Sequence, residues 1–263
     1  MVSQSLKSKE EELARALAEW EYDKVMSEFT AHRLLSYADH VPDIDVKKLY
    51  QAFIYFYSRN IKAVYDLLDQ LKPTLGHPWF FRNCKFIANR VCYFDFIHSL
   101  YLSHWDNITD LDIIDKEDSI ENFIFFFFMS GRLEEAENLF LNSLSNKNFT
   151  DAFLELKSTN SIEETTYKLG DFKEFKEKFN LTNVALVKFS ELIKILIIKH
   201  NLNIKVVDYS LIGDDLLITL KIDHPIDFIH KINDDFFDLV YEEDLSSVQE
   251  CLSLHFSPAS EGE

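Results

Sequence analysis

IENFIFFFFMSGRLEEAENLFLNSL, residues Ile120 to Leu144, decides the architecture, because it reads as two helices folded back on each other around Ser130-Gly131-Arg132. In the first half Ile120, Phe123, Ile124, Phe127 and Phe128 fall on one helical face, while Phe125 and Phe126 lie beside it. A helix that is apolar so far around its circumference needs cover on both flanks. In the second half Leu133, Ala136, Phe140 and Leu144 form an apolar stripe, and Glu134, Glu135, Glu137 and Asn138 supply the wet side. The spacing predicts a buried helix paired with an amphipathic one.

Outward from this stretch the same grammar recurs. Ser8-Lys9-Glu10-Glu11 reads as a capping box opening a first helix, with Leu13, Ala14, Leu17 and Ala18 on one face. After Trp20-Glu21-Tyr22 a second helix is expected to turn Val25, Phe29 and Leu34 inward and to end before Pro42. Lys47 to Tyr57 places Leu49, Phe53, Phe56 and Tyr57 at helical spacing; Ser58-Arg59-Asn60 breaks it, and Ile61, Val64, Leu67, Leu68 and Leu71 follow. The aromatic stretch Trp79 to Trp105 is expected to be mostly helical, with Ile108 to Asp115 as its partner. Beyond the central hairpin, Ser161 to Glu164 offers another capping box, Gly170-Asp171 a break, and Phe172, Phe175 and Phe179 an aromatic stripe, together implying one more hairpin.

An apolar residue sits just after each of four breaks, at Tyr22, Ile61, Leu133 and Phe172. Three and seven residues later come Val25 and Phe29, Val64 and Leu68, Ala136 and Phe140, and Phe175 and Phe179. The anchors are 39, 72 and 39 residues apart, so the middle interval is expected to hold one degenerate unit. MSGRLEEAENLF and KLGDFKEFKEKF resemble the inter-helix turn and second helix of the tetratricopeptide repeat family, over about residues 8–179. The resemblance implies a protein-binding scaffold whose concave surface holds a peptide or helix. An irregular helical bundle is the alternative, since any amphipathic hairpin shows part of this spacing.

Past Asn183 the pattern changes. Val184 to His200 is one further helix; Ile204 to Ile212 and Leu216 to Ile222 alternate as strands joined at Gly213-Asp214-Asp215. A helix follows from Asp223-His224-Pro225 to about Tyr241, and Val248 to Phe256 is expected to be a third strand. The fold class is therefore mainly α: stacked helical hairpins, as a tetratricopeptide-like solenoid or irregular bundle, followed by a small α/β module with about three strands. The expected division is a helical-repeat domain over 1–182, an acidic α-β-β-α-β module over 183–257 and a loose tail over 258–263.

With 47% hydrophobic and 14% aromatic residues among 263, the chain has ample material for a core. Five glycines and five prolines leave little for an all-β protein or a Gly-rich phosphate loop. Cys84, Cys92 and Cys251 lack CxxC or zinc-type spacing, which predicts buried thiols in a reducing compartment. The amino terminus turns acidic where a secretory signal needs an apolar core, and no apolar run approaches the ~18 residues of a membrane span. A cytoplasmic protein without membrane association is expected.

The net charge of −18 is concentrated at the end: from Asn201 onward three lysines face nine aspartates and five glutamates, a net of −11. Such a field repels nucleic-acid backbones and accelerates encounter with a basic protein; it also keeps a Phe-rich chain soluble. On the 225–241 helix Ile229, Ile232, Phe236 and Val240 face one way, and Asp227, Asp234 and Asp238 face the other with Lys231. Asp227, Asp234, Asp235, Asp238, Glu242 and Glu243 are the candidate partner-binding residues.

Catalytic and cofactor signatures are absent. His77, His98, His104, His200, His224, His230 and His255 are scattered and form no HxxxH or H-E-x-x-H pair, so no metal site is assigned. Asp227 with His230, or Asp234 with Asp238, share a helical face, for which a solvated surface is the simpler reading. Without G-x-S-x-G, a Walker loop or a dinucleotide fingerprint, no cofactor is expected. The sequence predicts a non-catalytic protein-binding protein whose acidic module engages a basic partner, as in an immunity- or antitoxin-type inhibitor covering a cationic active site. Its alternatives are an adaptor or chaperone holding a peptide in the helical groove, and an enzyme with an unrecognised pocket.

Overall fold

The computed structural model describes residues 2–20, 24–71, 78–105, 120–147, 150 and 162–259. Ten helices come first among them: α1 (Val2–Ala18), α2 (Glu28–Ala38), α3 (Ile44–Tyr57), α4 (Ile61–Leu68), α5 (Pro78–Arg90), α6 (Phe94–His104), α7 (Ile120–Met129), α8 (Leu133–Ser143), α9 (Ile162–Lys178) and α10 (Asn183–His200). A small sheet module follows, with β1 (Ile204–Ile212), β2 (Asp215–Ile222), α11 (Ile226–Glu242), the short α12 (Ser246–Gln249) and β3 (Leu252–Pro258). The mainly α fold with a terminal three-stranded module is thus the one the sequence predicts. No described helix is long and apolar enough to cross a membrane.

Three helix pairs, α3/α4, α5/α6 and α7/α8, are joined by one backbone device. Each first helix ends in a Schellman turn, which satisfies the carbonyls left over at a helix end. Asn60, Tyr93 and Arg132 each donate an N–H five residues back, to Tyr55, Ala88 and Phe127, while the preceding residue donates three back. That preceding residue is left-handed in every case: Arg59 at φ 62°, Cys92 at φ 49° and Gly131 at φ 68°. The next helix starts two residues later, at Ile61, Phe94 and Leu133. Phe94, Ile97 and Tyr101 repeat the anchor, third and seventh positions and are buried, so this is the degenerate unit expected between Ile61 and Leu133. It divides the interval into 33 and 39 residues.

Several expected boundaries are corrected. The stretch Trp79 to Trp105 is itself a hairpin, so it does not need Ile108 to Asp115, which lies outside the described residues. Helix α9 runs unbroken through Gly170-Asp171, since that glycine has ordinary helical geometry; the turn comes at Asn180, in the left-handed region. The hairpin expected there is therefore one helix, packed on α7 and α8 and tied to α8 by ion pairs from Lys173 to Glu137 (3.0 Å) and from Lys176 to Glu134. Helix α1 starts before Ser8, which is therefore not a cap. Ser161 and Tyr22 lie outside the described residues. Val25 and Phe29 are exposed rather than inward, because Ser27 caps α2 through the Thr30 N–H and thereby sets its phase by Ala31, Leu34 and Ala38, with Met26 buried before the cap.

Helices α1 and α5 both pack on α3, and α6 packs on α7. Phe123 to Met129 are all buried, as the two-sided covering of α7 requires. Phe94 meets the Phe125 ring edge-on at 5.9 Å from one flank, and Tyr209 of β1 stacks on it at 4.1 Å from the other. One hydrophobic cluster extends from Leu13 to Phe256.

In the module β1 pairs antiparallel with β2 and β2 parallel with β3, in the order β1-β2-β3. The parallel pair needs a crossover, which α11 supplies. The third strand starts four residues later than expected because Ser246–Gln249 coil into α12. Side chains bond backbone groups on both outer strands. Arg90 donates from Nη1 to the carbonyls of Ile204, at 3.0 Å, and Lys205, where the β1 register shifts. On β3 the Asn233 amide donates to Phe256 O at 3.0 Å and accepts its N–H at 2.8 Å.

Gly131 and Gly170 separate backbone need from sequence habit. A Cβ at Gly131 would lie 2.7 Å from the Asn183 carbonyl oxygen in addition to its positive φ, whereas one at Gly170 would touch nothing. Gly131→Ala is expected to lower stability by about 1–3 kcal/mol. Gly170→Ala should raise it by about 0.5–1 kcal/mol, both read from urea unfolding midpoints.

Candidate functional site

Helix α11 is amphipathic by sequence and stands on the module accordingly. Ile229, Ile232, Phe236 and Val240 are buried against α10 and β3, with Phe236 meeting Phe189 edge-on at 5.4 Å. The opposite face carries Asp227, Asp234, Asp238 and Glu242, all exposed, with Lys231. Among the described residues none of these four acids takes part in an ion pair.

The structure divides the six candidate acids into two groups. Asp235 turns toward α10, its Oδ2 lying 3.1 Å from Lys199 Nζ and 2.7 Å from His200 Nε2. The hydrogen bond accepted from Lys199, and after it the one accepted from His200, holds the Asp235 carboxyl below the ordinary aspartate range. Glu243 lies 3.8 Å from Lys188, also on α10. Both fasten α11 to its neighbour. Asp227, Asp234, Asp238 and Glu242 remain directed at solvent.

Two aromatic side chains that sequence reading left aside belong to this exposed face. Phe237 is 43% exposed and Tyr241 is 81% exposed, spaced one helical turn apart among the acids. The signal was present in the spacing, since both fall outside the 229-232-236-240 stripe. Helix electrostatics add a second anomaly. Glu242 and Glu243 sit in or after the last turn, where the carbonyl ends of the helix already carry partial negative charge. An arrangement chosen for stability would put cations there.

A second surface lies on the first helices. Tyr50, Phe53, Tyr57, Trp79, Asn83 and Phe86 line a groove of about 420 Å3 between α1, α3 and α5, closed by the small Ala14 and Ala18. Tyr50 and Trp79 pack at 5.8 Å, and burial raises the hydroxyl pKa of both Tyr50 and Tyr57.

Comparison with known proteins finds no matching family model, curated protein or solved structure. The chemistry of the chain's own side chains must carry the reading. Cys84, Cys92 and Cys251 are buried, as expected, and burial raises all three thiols, Cys251 to about 11, so they stay protonated at neutral pH. Among the described residues no three His, Cys, Asp or Glu side chains gather as metal ligands would.

The Asp235 clasp has a pH signature. Its carboxyl is depressed in the folded state, so its stabilisation is present above the unfolded pKa and is lost as pH falls through the folded one. Asp235→Asn is expected to destabilise the protein at neutral pH, with the gap in melting temperature closing as the buffer is taken to strongly acidic pH.

Proposed function

We propose that the chain is a non-catalytic protein-binding protein that docks a basic partner on the exposed face of α11, the helical array acting as a tetratricopeptide-like scaffold behind it. The observation that carries this reading is the interleaving of four exposed acids, unpaired among the described residues, with Phe237 and Tyr241. Acids set the encounter rate and orientation, whereas desolvated aromatics hold the complex once formed. The misplaced acid at Glu242 supports the same division, because charge that opposes a helix dipole is retained where something other than folding benefits. An inhibitor of the immunity or antitoxin type, covering a cationic active site, fits this surface chemistry.

The groove between α1, α3 and α5 favours a second reading, an adaptor or chaperone that holds an apolar peptide against Tyr50, Phe53 and Trp79. The two readings place the partner on different faces and are separable by substitution.

The test is capture of partners at low salt from the native lysate by the intact protein, followed by kinetics with the captured protein. A stoichiometric basic partner released by salt is expected. Asp234→Lys combined with Asp238→Lys should slow its association at least tenfold at low salt, and Tyr241→Ala should speed dissociation. Glu242→Lys should weaken binding while stabilising the free protein by about 0.3–1 kcal/mol. Unchanged association of the double lysine variant, with loss of binding in Trp79→Ala instead, would transfer the site to the groove.

A further inference from the structure

The exposed face of α11 is ordered in two rows. Ile226, His230, Asn233, Phe237 and Tyr241 follow one another at intervals of four, three, four and four residues. At about 100° per residue these positions stay within about 80° of the helix circumference and run nearly parallel to its axis. Ile226 is 53% exposed, and like Phe237 and Tyr241 it lies outside the stripe that packs on α10 and β3. Asn233 is the member already taken, by its two bonds to Phe256, and it marks the border of the face on the β3 side. The second row lies alongside. Asp227, Asp234, Asp238 and Glu242 also fall within about 80° of one another, all exposed and none in an ion pair among the described residues.

An interval alternating between three and four residues is the one by which two helices pack lengthwise, the side chains of each entering gaps in the other. Helix α11 has 17 residues, which gives the row a length of about 25 Å and nearly five turns. Backbone chemistry selects the same occupant. The exposed face of a helix offers no free N–H or C=O, so an extended segment laid along it finds no main-chain partners, whereas a helix satisfies its own. Charge then fixes the composition. A second copy of α11 would bring carboxylates against carboxylates, which disfavours a symmetric pair, while a row of Lys or Arg meets them with the opposite sign.

We propose that the occupant of α11 is an amphipathic helix of the basic partner, packed lengthwise, with its apolar stripe on Ile226, Phe237 and Tyr241 and a flanking row of Lys or Arg on the four acids. This deepens, and rests on, the assignment of α11 as the docking face. Phe237 and Tyr241 stand beside Asp234, Asp238 and Glu242, so the C-terminal half of α11 carries the tighter contact and Ile226 the outer one.

Three fluorescently labelled peptides of about 18 residues, matched to the length of α11, test this against the full chain by anisotropy. The first is built of Leu and Lys with every Leu on one face of a helix. The second has the same composition with Leu and Lys alternating, which favours a strand, and the third is the first with Glu in place of Lys. The helical lysine peptide is expected to bind one-to-one at low salt with a Kd below about 100 μM, at least tenfold more tightly than either of the others. Phe237→Ser combined with Tyr241→Ser should weaken it at least tenfold while melting as the parent does, and Trp79→Ala should leave it unchanged. Equal binding of the two lysine peptides, abolished by Asp234→Lys with Asp238→Lys, would overturn the helix and leave the basic-partner reading in place. Equal binding of the glutamate peptide, or indifference of the helical lysine peptide to both pairs of α11 substitutions, would overturn the two together. Absence of saturable binding by the helical lysine peptide up to about 1 mM would overturn the helix alone, the partner itself being tested by capture from the lysate.

Discussion

Helix α10 is wedged between the helical array and the sheet module, with Leu186, Phe189, Leu192, Ile193, Leu196 and Ile197 all removed from solvent. Each such side chain contributes about 1.5–3 kcal/mol on burial, so the set is comparable with the net stability of a whole domain. On the array side Ser190 Oγ donates to Met129 O at 2.6 Å, and Lys194 lies over the rings of Tyr65 and Tyr93. On the module side Phe189 meets Phe236 while Lys199 and His200 hold Asp235. Neither half can release α10 and keep its core dry.

This arrangement explains why the fold class was legible and some of its joints were not. Periodicity reports which face of a helix is wet, and α3, α4, α8 and α11 were readable because each has one dominant apolar stripe, while α7 was readable because its apolar residues spread to both flanks. Turns depend on a single backbone conformation, which composition encodes weakly. Val91-Cys92-Tyr93 contains no glycine or asparagine, yet Cys92 takes the left-handed position that Gly131 takes in the next hairpin. Gly170 has the residue type of a break without the conformation, so it misled in the opposite sense. At Val25 and Phe29 the cap at Ser27 settled the phase, a local hydrogen bond outweighing an apolar repeat.

The candidate surface was half readable. Alternation of acids and apolar residues along 226–242 gave the exposed face, but a run of carboxylates does not reveal which of them bend back. Asp235 and Glu243 do so because Lys199 and Lys188 stand on α10, more than thirty residues earlier, a proximity only tertiary packing creates. Conversely, Phe237 and Tyr241 were legible as off-stripe aromatics; their exposure follows from α11 having a neighbour on one side and none of its own stripe left over for them.

The Asn233 side chain on β3 has a consequence for how the molecule behaves in a crowd. A primary amide presents one donor and one acceptor with the spacing of a peptide group, so at Phe256 it imitates the next strand of the sheet. Pro258, two residues on, has no N–H to offer, and Arg90 occupies carbonyls at the opposite border. A second molecule adding a strand at these positions would have to displace those bonds first. At these positions two side chains, rather than a fourth strand, satisfy the backbone, which works against edge-to-edge growth in a chain rich in phenylalanine.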